Sequence, residues 1–324
     1  GGRIAFAPSL SGATIYLAST LTIDKGLAID GSTLPVKITI SGDSDANGTG
    51  NFAPVIDASS VDLITLDSLV MTKGFSLNAS GGGIRNISGN LAITNSVITA
   101  NTGWNGGGLF NLVGTVTVTR STISGNTSMS SDAFGGGGIF NFDPPSTLIL
   151  KESTVSGNLA AGSGLFGNWG GGIYNLGTMT VTNSSIVANA ANGWGGGIYN
   201  TATGIANVFN STIAYNGANQ DDDANGGQAG GVVNYGIFAI RNTLIAANNI
   251  EGIPLYDDCA GTINSYGRNL IRALDTTNVG TCTINNVTGS WTQLNSIALL
   301  SGLQNNGGPT LTVALLPGSS AIDG

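Results

Sequence analysis

Apolar and polar residues alternate in short runs such as Thr115-Val-Thr-Val-Thr119 and Thr178-Met-Thr-Val-Thr182, the period-two pattern of half-buried strands. Between the runs stands a phrase, Gly-Gly-Gly-[Ile/Leu]-x-Asn, whose third Gly falls at Gly83, Gly108, Gly138, Gly172 and Gly197; a shortened copy places its last Gly at Gly231. Each copy is followed by a second phrase, as in Asn95-Ser-Val-Ile-Thr-Ala-Asn101 and Asn210-Ser-Thr-Ile-Ala-Tyr-Asn216, and the period runs from 25 to 34 residues. A unit of that length, with short strands and Gly- or Asn-rich corners, winds once and stacks on itself. The pattern therefore predicts an all-β, right-handed, single-stranded parallel β-helix of roughly ten to twelve coils. It forms one domain over residues 1–324, with N-terminal coils in 1–75, six regular coils in 76–250 and C-terminal coils in 251–324.

Stacking turns repeat positions into columns. Ile84, Leu109, Ile139, Ile173, Ile198 and Val232 form an interior aliphatic stack, each burial contributing about 1.5–3 kcal/mol. Two residues on, Asn86, Asn111, Asn141, Asn175, Asn200 and Asn234 form a second column. The second phrase ends in a third, at Asn101, Asn126, Asn158, Asn189, Asn216 and Asn248. Asn tolerates a left-handed corner and its amide can bond the next coil, so both columns are expected to be structural ladders. The longest insertions, 127–135, 159–168 and 217–229, all enter just before a Gly run, which places the loops on one face.

Composition narrows the function. Charged residues are 9% of the chain, Gly numbers 52 and His is absent, a balance that disfavours helices. The net charge of −8 excludes nucleic acid and anionic membrane surfaces as natural partners. No run of about 18 apolar residues spans a membrane. Cys259 and Cys282 lie 23 residues apart, near one period, so they should meet on adjacent coils as a disulfide, which implies an extracellular or cell-surface, secreted setting.

Polysaccharide-cleaving β-helices need carboxylates or acidic calcium ligands gathered on neighbouring coils. Between residues 76 and 219 the charged residues are Arg85, Arg120, Asp132, Asp143, Lys151 and Glu152 alone. Arg120 and Glu152 share a repeat position and should form a surface ion pair, while Asp221, Asp222 and Asp223 look like a solvated loop tip. No catalytic residues are expected. Asp43, Asp45, Asn47, Thr49 and Asn51 have the alternate-oxygen spacing of a calcium loop, with Gly48 at the sixth position and Asp57 as a substitute ligand. Pro54 stands where the closing Glu belongs, and a metal-free turn is the simpler reading. Trp104, Phe134, Trp169 and Trp194 precede successive Gly runs, and Phe110, Phe140, Tyr174 and Tyr199 follow the aliphatic column. Such aromatic columns can bind surface glycans or pack beneath the loops; packing is the expectation.

The paired phrases resemble those of bacterial surface β-helix proteins carrying the choice-of-anchor Q domain. They are similar, more distantly, to the repeats of chlamydial polymorphic outer-membrane proteins, with Ile98, Ile123, Val155, Ile186, Ile213 and Ile245 in place of that family's Phe. Residues 4–31, Asp258-Cys259, Cys282, Asn305 to Thr312 and Leu315 to Asp323 extend the resemblance to both ends. It implies secretion and surface display without a shared reaction. Two family features, a Cys- and Arg-containing leading segment and residues beyond the Ala-Ile-Asp-Gly ending, are missing from this sequence. The expectation is therefore a non-enzymatic structural or adhesive surface protein able to associate end to end into a filament, with Arg3 to Ala7 adding to a neighbour's sheet. The alternative is a carbohydrate-active or carbohydrate-binding β-helix that uses the looped aromatic face.

Overall fold

The computed structural model describes residues 1–132, 134–162, 168–219, 228–251, 257–272, 281–286 and 291–322, with Trp291 described by its backbone alone. Among these there is no α-helix, only a short 3-10 turn at Pro8–Leu10. The chain is a parallel β-helix. A regular coil carries four strands, as in Ile84–Asn86, Asn90–Thr94, Val97–Thr99 and Thr102–Gly103. First and second strands join a 19-stranded sheet, third strands an 11-stranded sheet and fourth strands a 6-stranded sheet. The third strands, from Thr14–Tyr16 to Trp291–Leu294, count eleven coils.

Register is fixed residue by residue. Ile84, Leu109, Ile139, Ile173, Ile198 and Val232 stack as direct partners, and Cys259 continues the column. Second strands add pairs such as Val116 with Val118, and third strands add Ile98, Ile123, Val155, Ile186, Ile213 and Ile245, all fully buried. One apolar core thus runs the length of the axis.

Two corner columns adopt left-handed backbone. Asn95, Arg120, Glu152, Asn183, Asn210 and Asn242 turn the second strand into the third, and Ala100, Gly125, Gly157, Ala188, Tyr215 and Ala247 turn the third into the fourth. The expectation that the ladder Asn residues themselves take this conformation is corrected. In the second column the bend lies one residue earlier, at Ala100 rather than Asn101, whereas in the first column amides bond their own turn as well as the next coil, as Asn175 Nδ2 does to Gly177 O at 3.0 Å. The third Gly of each run has a different cause. A Cβ on Gly172 would lie 2.6 Å from the Gly197 carbonyl oxygen and 3.0 Å from Asn189 Nδ2, so the ladder leaves no room for one.

After the last coil the chain departs from the solenoid expected over 251–324. Leu300–Gln304 and Thr312–Leu315 form an antiparallel hairpin that folds back on the outer face of the 11-stranded sheet. Thr154 Oγ1 donates to Leu311 O at 2.6 Å, and Tyr215 OH donates to Leu300 O at 3.0 Å. Outward positions on the late coils are apolar, and Leu244, Ala246 and Leu270 pack against Ala298, Leu300 and Ala321. The earlier coils present Thr122 and Ser124 at the same place.

Candidate functional site

Both Asn columns are continuous ladders. In the first, Asn86 Nδ2 donates to Asn111 Oδ1 at 2.8 Å, and the relay continues through Asn141, Asn175 and Asn200 to Asn234 at 2.7–2.8 Å. In the second, Asn101, Asn126, Asn158, Asn189, Asn216 and Asn248 are linked at 2.8–3.0 Å. From Asn126 on, each Oδ1 also accepts the backbone N–H of the preceding coil's Asn, while Asn101 Oδ1 accepts Gly74 N at 2.9 Å, and each Nδ2 also donates to a carbonyl, as Asn158 does to Ile123 O at 3.0 Å. All four hydrogen-bonding sites of the buried amide are filled from Asn126 to Asn248. The relay ends on a carboxylate: Asp258 Oδ1 accepts both Asn248 Nδ2, at 2.7 Å, and Asn248 N, at 2.9 Å.

A third ladder escaped the sequence reading. Ser96, Ser121, Ser153, Ser184 and Ser211 are buried, and each Oγ accepts a backbone N–H from the neighbouring coil, as Ser121 does from Ser96 at 3.0 Å. Each also donates to the carbonyl two residues back, as Ser184 does to Thr182 O at 2.8 Å. The signal was present, because Ser or Thr recurs at the second place of every second phrase.

The aromatic columns converge on the looped face. Phe110, Phe140, Tyr174 and Tyr199 point away from the coil interior yet are buried, and with Ala229, Val233 and Ala260 they make a second core. Their rings stack at centroid distances of 5.5, 4.8 and 5.1 Å. Trp169 lies parallel to Trp194 at 5.0 Å and against Tyr199 at 4.8 Å, and Phe134 meets Phe140 and Tyr174 edge-on. Trp104 takes no part in the described ring contacts. An open hollow of about 420 Å³ adjoins the stack, lined by Tyr174, Leu176, Tyr199, Thr201, Ala202, Thr203 and Tyr235. Tyr235, which is 51% exposed, was not singled out from the sequence; its hydroxyl donates to Gln228 Oε1 at 2.8 Å. Burial pushes the Tyr174 phenol well above its usual range, and burial together with the neighbouring phenols Tyr174 and Tyr235 does the same to Tyr199.

The loop at 43–51 is closed on itself. Buried Asp43 accepts Asn47 N at 3.1 Å and Gly48 N at 2.7 Å, and Asn47 Nδ2 donates to Asp45 Oδ2 at 2.8 Å. Asn47 Oδ1 accepts both Thr49 N and Thr49 Oγ1, and Asn51 Oδ1 accepts Ser44 N at 2.6 Å. Asp57 is engaged elsewhere, in an ion pair with Arg85, its register partner on the next coil. Among the described residues no three acidic, His or Cys side chains gather as a metal group.

The ion pair expected between Arg120 and Glu152 is absent from the described contacts. Arg120 Nε instead donates to Asn95 Oδ1 at 3.0 Å, on the preceding coil. Asp221, Asp222 and Asp223 lie outside the described residues. Cys259 and Cys282 form the expected disulfide, with Cα atoms 5.4 Å apart on adjacent strands. No described helix is long and apolar enough to cross a membrane. No protein-family model, curated protein or solved structure matches the chain.

Proposed function

We propose that this protein is a secreted structural or adhesive surface protein whose solenoid holds an aromatic, loop-bearing face at a fixed geometry. The observation that carries the reading is the unbroken second Asn ladder, which satisfies every buried amide from Asn101 to the carboxylate of Asp258. A rod whose corners are tied coil to coil resists local opening, and so suits a scaffold. The disulfide supports an oxidising, extracellular setting. End-to-end association into a filament belongs to the same reading. Incubation with pectin, alginate and glycosaminoglycans tests the non-enzymatic assignment: new reducing ends or unsaturated products would overturn it.

A second reading, carbohydrate binding, is favoured by the hollow beside Tyr199 and Tyr235. There an aromatic wall faces the Thr201 and Thr203 hydroxyls, the mix of apolar surface and few polar groups that saccharide sites use. Retention of the protein on one of those polysaccharides, lost on Tyr235→Ala, would favour it.

A further inference from the structure

Asn47 is followed by Gly48, and an Asn-Gly pair can cyclise when the glycine nitrogen attacks the side-chain carbonyl carbon. The reaction needs a base for the nitrogen's proton, donors for the oxygen that takes up negative charge, and room at the glycine. All three are assembled here. The Gly48 N–H donates to Asp43 Oδ2 at 2.7 Å, within the reach required of a general base, and Asp43 is buried and held by its backbone bond to Ser41 Oγ at 3.2 Å. Asn47 Oδ1 accepts two donors from one residue, the backbone N–H of Thr49 at 2.8 Å and its hydroxyl, an arrangement that stabilises a developing oxyanion. Nothing lies within 4 Å of the Gly48 Cβ position, and Asn47 and Gly48 are open to water.

The other described Asn-Gly pairs lack this arrangement. Gly106, Gly193 and Gly217 give their N–H groups to backbone carbonyls of neighbouring coils, at 3.0, 2.9 and 2.8 Å. Asn216 is locked in the ladder. Asn306 is exposed like Asn47, but the Gly307 N–H meets the neutral Asn305 Oδ1, at 2.9 Å. Asn225-Gly226 lies outside the described residues.

We infer that Asn47 is a self-processing site, converted by its own loop to an aspartyl or isoaspartyl residue. Asp43 takes the Gly48 amide proton, the Gly48 nitrogen bonds to Asn47 Cγ, and the carbonyl electron pair moves onto Oδ1, held by Thr49. Collapse re-forms the carbonyl and breaks the Cγ–Nδ2 bond. The leaving nitrogen takes back, through solvent, the proton that Asp43 received and departs as ammonia. Water then adds to either carbonyl of the cyclic imide and breaks a ring C–N bond. The net change is water consumed and ammonia released, with no oxidation. The product places a new carboxylate between Asp43 and Asp45 and removes the amide hydrogen bond that Asp45 accepts.

The test is incubation of the folded protein at neutral pH, followed by peptide mapping for the amide-to-acid mass gain and enzymatic methylation of isoaspartyl sites. Conversion at Asn47 is expected to outpace that at Asn306 by about a hundredfold, the low end of what a positioned base contributes. Asp43→Asn should bring the two rates together, and Thr49→Val, an exposed change outside the solenoid core, should slow Asn47 severalfold. Equal rates at Asn47 and Asn306 in the unaltered protein would overturn the assignment. So would a wild-type rate at Asn47 in Thr49→Val, which keeps the test valid if Asp43→Asn disturbs the loop.

Discussion

Asn248 Nδ2 and Asn248 N both donate to one oxygen of Asp258, at 2.7 and 2.9 Å, and this carboxylate is where the second Asn ladder stops. An Asn at the end of the relay would need a further acceptor for its amide, whereas an aspartate needs only donors. Asp258→Ala should therefore strand two buried N–H groups, at a cost of about 1–3 kcal/mol each. Asp258→Asn, which keeps the accepting oxygen, should cost less. Urea denaturation of the two variants checks the order, and equal midpoints would refute it.

Removal of a rung inside the ladder should be worse than removal of an exposed Asn. Asn158→Ala leaves Asn126 N and Nδ2 without their acceptor and takes the Asn158 Nδ2 donor away from Asn189 Oδ1 and Ile123 O, while Asn189 Oδ1 keeps the backbone N–H of residue 158. A loss of at least about 3 kcal/mol is expected. Hydrogen exchange should locate the new opening at the corners around residues 126, 158 and 189.

Gly172→Ala should destabilise although a small apolar side chain adds burial. Its Cβ would meet the Gly197 carbonyl oxygen at 2.6 Å, so the coils must part or the Asn189 amide must shift. Overpacking of this kind costs about 1–3 kcal/mol, readable as a lowered thermal midpoint. A neutral result would mean that the coil spacing is softer than the ladder implies.

The disulfide closes a 23-residue interval at the C-terminal coils. Its reduction should lower stability by about 3 kcal/mol in the chain-entropy model. Thermal denaturation with and without reductant, alongside thiol titration of protein from its native medium, tests both the bond and its setting. Two free thiols there would count against secretion.

Tyr174 and Tyr199 should not ionise in the folded protein across the ordinary phenol range, because burial raises both. Below pH about 10 both folded and unfolded chains hold these protons and the full contribution to stability is present. Above it the unfolded chain releases protons that the folded chain retains, so stability falls as pH rises. Phenolate absorbance followed against pH should show these two rings titrating only as the fold melts.

The repeat determined the solenoid, the inward aliphatic column and both Asn ladders, because identical residues recurring at one phase of a coil must stack when the coil closes. Ser96 and its successors obey the same rule and were equally legible. At the second Asn column the left-handed corner was misplaced by one residue, since Ala100 and Tyr215 carry no mark of that backbone while the neighbouring Asn does. Other features depend on partners that the period does not relate. Asp258 closes the ladder from outside the phrase, and the terminal hairpin reaches Thr154 across 157 residues to cover apolar positions found only on the late coils. Residues such as Tyr174 point away from the coil; their burial was decided by the inserted loops and by Trp169, whose ring stacks on Tyr199. Phase along the chain fixes what lies above and below a residue, and only the folded chain decides what lies beside it.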